Sequence, residues 1–139
     1  MPVPPALRER IAARDRYRCA YCLTAEGICG LRMHVDHIIP EVAGGETVEG
    51  NLCLACFSCN AFKGQQQTAA DPETGEAEPL FHPLQDRWSD HFTWSEDQSL
   101  IVGHTPVGRA TVEALRMNNA TVVHARVRWV RAGWHPPRD

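Results

Sequence analysis

Cys19-Ala-Tyr-Cys22, Asp36-His37-Ile38-Ile39-Pro40, Gly44-Gly45, Asn51-Leu52 and Cys56-Phe-Ser-Cys59-Asn60-Ala-Phe-Lys63-Gly64 follow one another along the chain, and their reading decides the fold. The two Cys-x2-Cys pairs are separated by 33 residues. That spacing lets four thiolates converge on one tetrahedral zinc ion through Cys19, Cys22, Cys56 and Cys59. A redox Cys-x2-Cys would occur once, beside a βαβ pattern, and neither condition holds. With all four positions taken by sulfur, such a metal has no place for water or substrate. It is expected to hold the fold together and to do no chemistry.

The order Cys-x2-Cys, Asp-His-Ile-x-Pro, Gly-Gly, Asn-Leu, Cys-x2-Cys-Asn-x2-Lys-Gly resembles the HNH endonuclease family in its four-cysteine form, over roughly Arg16–Gly64. The resemblance implies an α+β protein with a small ββα-metal core and a structural zinc site, flanked by an N-terminal helix and a C-terminal hairpin plus helices. It also implies a phosphodiester hydrolase acting on DNA, double-stranded DNA first. His37 matches the family's general base, a task suited to a side chain that titrates near neutrality. Asp36 and Asn60 match the oxygen ligands of a single catalytic cation, and oxygen donors favour Mg²⁺ or Mn²⁺. Many members carry His where Asn60 stands, a difference that bears on metal preference. Asn51 matches the middle asparagine, which pins the loop and orients the catalytic histidine. Lys63, with Arg16 and Arg18, is a candidate phosphate contact. The alternative is a zinc-stabilised nucleic-acid-binding module without catalysis, but such a module needs the cysteines and has no use for the Asp36-His37 pair.

Outward from the motif, Pro5 to Asp15 reads as a helix that opens on proline and aligns Leu7, Ile11 and Ala12. Tyr17 to Gly50 is broken by Gly30, Pro40 and Gly44-Gly45, which predicts short strands and loops with a hairpin around the Gly-Gly pair. Asn51 to Phe62 has no breaker and predicts a helix ending before Gly64. Residues 65–79 are polar, acidic and turn-rich, and predict a surface loop. The expected organisation is therefore 1–64 as helix and core, 65–79 as loop, and 80–139 as an extension packed on the core in one globular unit.

In the extension, Trp88, His91, Phe92 and Trp94 predict a short helix and a hairpin turning near Glu96-Asp97, with the aromatics in a core rather than stacked on bases. Thr105 is placed to cap a helix over Val107–Asn118, and Ala120–Ala132 predicts another ended by Gly133. Arg126, Arg128 and Arg131 read as a solvated helix face. Leu80–Pro137 resembles the tail of small bacterial HNH proteins, a likeness that carries no function. His34 reads as a surface strand residue, and Cys29 and Cys53 as buried small hydrophobes.

The net charge of −3 argues against a surface that grips DNA everywhere. The acidic excess lies in 65–139, with seven basic and ten acidic groups, whereas 1–64 has seven of each. Arg8, Arg10, Arg14, Arg16 and Arg18 crowd one stretch of that neutral half and form a candidate basic patch. No apolar run is long enough to span a bilayer, the first residues lack a secretion signal, and six cysteines suit metal ligation better than disulfides. A cytoplasmic location with no membrane partner is expected.

Overall fold

A computed structural model describes residues 2–138. Helix α1 (Pro5–Arg14) starts with proline in its first turn, where a missing N–H costs nothing, and buries Ile11 and Ala12. Its arginines are ties to the core. Arg8 donates to the Met33 carbonyl, Arg10 pairs with Glu49, and Arg14 donates to the carbonyls of Glu49 and Leu52. A short helix α2 (Glu26–Cys29) leads to strand β1 (His34–His37), and β1 pairs antiparallel with β2 (Leu52–Ala55) in the register His34–Ala55 to His37–Leu52. Helix α3 (Phe57–Lys63) completes a ββα unit.

The helix expected over Asn51–Phe62 is thus a strand followed by a shorter helix. All four residues of β2 are fully buried, so no polar alternation betrays a strand, and a short apolar run fits helix or strand equally well. The break at Cys56 is local chemistry. Its Sγ accepts the Cys59 N–H at 3.3 Å and caps the first turn of α3. Gly64, at φ +51°, ends the helix where expected.

Residues 65–79 also differ from the loop expected. Strands β3 (Thr68–Ala70) and β4 (Ala77–Pro79) form a small hairpin whose turn is organised by Asp71. The Asp71 carboxylate accepts the Glu73 N–H and the Thr74 hydroxyl, and takes a two-pronged contact from Arg109 at 3.0 and 2.8 Å. A polar composition therefore conceals a strand pair that lies against helix α5 (Pro106–Ala114).

The extension follows its expected order of elements: α4 (Trp88–His91), the hairpin of β5 (Phe92–Trp94) and β6 (Ile101–Gly103), then α5, which ends at Ala114 rather than Asn118, and α6 (Ala120–Arg131). Thr105 caps α5 by accepting the Gly108 N–H, and Asn119 caps α6 by accepting the Val122 N–H. Trp88 stacks obliquely on Phe92 and Trp94 at centroid distances of 5.2 and 5.4 Å, so these aromatics build core. One apolar cluster runs from Ile11 through Tyr21, Leu52 and Leu54 to Phe92, Ile101 and Met117.

The hairpin clamp carries a pH signature. Hydrogen bonds from Arg109 pull the Asp71 carboxyl down to about 2. A folded-state value below the unfolded one stabilises fully above the unfolded value and is lost as the pH falls through the folded one. We expect Asp71→Asn to lower the melting temperature by a constant amount above pH 5, and the gap from the parent to close between about pH 4 and pH 2. Thermal unfolding of both proteins across that range checks this.

Candidate metal centre and active-site cleft

The four sulfurs of Cys19, Cys22, Cys56 and Cys59 all lie within 4.8 Å of one another, and no disulfide joins them. Local backbone makes each knuckle. In the first, the Cys22 N–H points at Cys19 Sγ at 3.5 Å, Leu23 takes φ +65°, and the Leu23 N–H donates to the Cys19 carbonyl. The Ala20 N–H then bonds the Leu54 carbonyl at 2.8 Å, which fastens this knuckle to β2 just ahead of the second. The thiols differ in acidity. Hydrogen bonds with Cys19 push Cys22 and Cys56 down, burial pushes Cys19 up, and hydrogen bonding with Cys19 pushes Cys59 up. This is a buried tetrahedral donor set of sulfur alone, which fits a structural zinc ion, and such an ion would take all four as thiolates.

Asp36 and His37 leave β1 in opposite directions, as neighbours on a strand must. The Asp36 carboxylate turns inward, accepts the Tyr21 hydroxyl at 2.9 Å, and faces the Lys63 ammonium at 3.1 and 3.3 Å from its two oxygens. Lys63 is only 2% exposed and also donates to the His37 carbonyl at 3.1 Å. Lys63, expected as a phosphate contact, is therefore turned into the protein. His37 Nε2 lies 2.9 Å from Thr47 Oγ1 and 3.8 Å from Glu41 Oε1.

Asn51 is buried and bonds only backbone: its amide oxygen accepts the Ile39 N–H, and its nitrogen donates to the carbonyls of Ile39 and Glu46. It thereby clips both ends of the loop that follows β1. Gly45 is required at the same clip, because a Cβ there would come within 1.7 Å of the Ile39 carbonyl oxygen and 2.8 Å of the Asn51 nitrogen. An open cleft of about 280 Å³ collects Asp36, His37, Glu41 and Asn60 on its walls. The Asn60 side chain makes no hydrogen bond among the described residues.

Residues 19–66 match the model of the HNH endonuclease family. This segment is an HNH-family ββα-metal core. No curated protein and no solved structure matches the chain. Within the HNH core the predicted cysteines converge, and Asp36, His37 and Asn60 share one cleft, while Asn51 stands behind the loop. Arg16 and Arg18 line a separate cleft with Phe81 and Trp88. Among residues that sequence reasoning passed over, Tyr21 sits inside the first Cys-x2-Cys pair and Thr47 two residues after Gly45. A hydroxyl at either position carries no spacing signal of its own. Cys53 is buried as expected, and burial raises its thiol pKa first of all. Cys29 is only half-buried.

Two outcomes follow from this geometry. Verified stripping of the metal by a strong chelator should unfold Tyr17–Gly64, because the cysteines bracket it; an unchanged circular dichroism spectrum contradicts that. Lys63→Met leaves the Asp36 carboxylate buried beside no cation, at a cost of about 3–5 kcal/mol. Adding Asp36→Asn to that variant should recover much of the loss, and a double-mutant cycle in urea measures the recovery.

Proposed function

We propose that the chain is a metal-dependent endonuclease that hydrolyses phosphodiester bonds of DNA, with the reaction in the Asp36–His37–Asn60 cleft. The observation that carries the reading is that this cleft brings together a histidine and two oxygen donors inside an HNH-family core.

The donor set fits a hard divalent cation. Asp36 Oδ1 receives only the longer contact from Lys63, a carboxylate offers about four lone-pair sites, and the Asn60 amide has no competing partner among the described residues. One carboxylate, one amide and retained waters suit Mg²⁺ or Mn²⁺. Bound there, such a cation supplies charge neutralisation for the leaving 3′ oxygen.

The remaining work falls to the chain's own residues. When His37 Nε2–H donates to Thr47 Oγ1, the ring keeps its lone pair on Nδ1, the nitrogen left to draw a proton from the attacking water. Glu41 Oε1 lies 3.8 Å from the same Nε2. Asn51 and Gly45 hold the loop that carries Thr47 and so fix the ring's orientation; Asn51 acts as a positioning residue. The expected products are a 5′-phosphate and a 3′-hydroxyl.

Purified, zinc-loaded protein should convert supercoiled plasmid to nicked circles in Mg²⁺ or Mn²⁺ and not in EDTA. His37→Ala should lose at least about 100-fold of that rate with its zinc retained, the lower end of what a positioned base contributes. A folded, zinc-loaded parent that binds DNA but never nicks it in any divalent cation would move the reading to a non-catalytic nucleic-acid-binding module.

A further inference from the structure

Arg126 was expected on a solvated face and is instead completely buried. It leaves α6 for the interior, whereas Arg128, two positions on, stays exposed and bonds His124. The Arg126 guanidinium donates to the carbonyls of Ser99 and Met117 and to the Asn118 side-chain oxygen, all neutral acceptors. It lies 5.5 Å over the Trp94 ring, and its Nε has no partner. Among the described residues no carboxylate pairs with it.

A buried cation without a counter-ion is costly enough that proteins rarely keep one. The anionic groups nearest in kind are the cysteines. Arg126 lines a cavity of about 20 Å³, room for about one water, together with Cys22, Cys56 and Cys59. Burial lowers the pKa of the guanidinium, and the charges that act to raise it again are Cys22, Cys59, Cys56 and Cys19. Four thiolates around a divalent ion leave a net charge of −2 buried in the same region. The surroundings of each charge thus lack what the other supplies.

We propose that Arg126 is the counter-cation of the four-cysteine metal centre, placed there by the C-terminal extension, and that the extension works as a lid that retains the metal. A second contact on the same side agrees with this. Asn119, the cap of α6, reaches Ser58 Oγ at 3.3 Å, between Cys56 and Cys59 in the first turn of α3. The extension therefore meets the second knuckle through α6 and the first through the Trp88 indole N–H, which donates to the Tyr21 carbonyl at 2.8 Å.

The test is the rate of zinc release from full-length, zinc-loaded protein to a chromogenic chelator, compared for the parent, Arg126→Met, Arg126→Gln and Arg126→Lys. Removing the charge should speed release by about 10-fold or more, the range known for partners that support metal ligands. Arg126→Lys keeps the charge and should release within a few-fold of the parent. The proposal is overturned if the Met and Gln variants release as slowly as the parent, or if Lys releases as fast as they do. Should the charge-free variants fail to fold, Arg126→Lys still decides, since release about 10-fold faster from a folded Lys variant would leave fork geometry and not charge as the cause.

Discussion

Four sulfurs within bonding reach of one ion are the constraint on which the rest of this molecule hangs. The first knuckle is a turn, the second is the first turn of α3, and β1 and β2 are only four residues long. A two-stranded ribbon of that length has marginal stability in water. Joining Cys19-Cys22 to Cys56-Cys59 closes a long loop around both strands; Asp36, His37 and Glu41 of the cleft lie inside the closure, and Asn60 follows its last cysteine directly. With a metal bound by all four cysteines, the core would depend on deprotonated thiolates, which would tie its integrity to metal supply.

Inside that closure, the buried pair of Lys63 and Asp36 does a second job. A carboxylate buried at this depth is costly without a counter-charge, and the Lys63 ammonium supplies one at the base of the cleft. The Lys63 bond to the His37 carbonyl joins the same ammonium to the next residue, so one side chain fixes where the strand presents both Asp36 and His37. Tyr21 adds a third support from within the first knuckle. The structural centre and the cleft are therefore one connected network.

The grouping of Asp36, His37 and Asn60 was legible only through the family resemblance; spacing made the cysteine cluster legible in the sequence, because ligand geometry imposes itself on sequence. Caps at Thr105, and breaks at Pro5, Gly64 and Gly133, were legible for the same reason: they are local. What stayed hidden depends on contacts distant in sequence. The strand at Leu52–Ala55 lost its alternation because both faces are covered, and the hairpin at 68–79 rests on Arg109, 38 residues beyond Asp71. Lys63 and Arg126 were read as surface cations because charged side chains usually are. Lys63 meets Asp36 27 residues away, and Arg126 meets the Ser99 carbonyl at the same separation, and neither contact leaves a periodic trace.

The arginines of the N-terminal helix show how a charge count can mislead about binding. Arg8, Arg10 and Arg14 spend their donors on Met33, Glu49 and Leu52, so much of the expected basic patch is mortar between α1 and the core. With a net charge of −3, long-range attraction to a polyanion is weak. The positive field needed at the cleft must then come from close range. A divalent ion held by Asp36 and Asn60 would itself be the largest local charge there, attracting the phosphate that it is proposed to help cleave. Binding of nucleic acid and loading of the cation would then be coupled: affinity for DNA should rest on the open cleft's occupancy far more than on the closed, sulfur-filled site beside it.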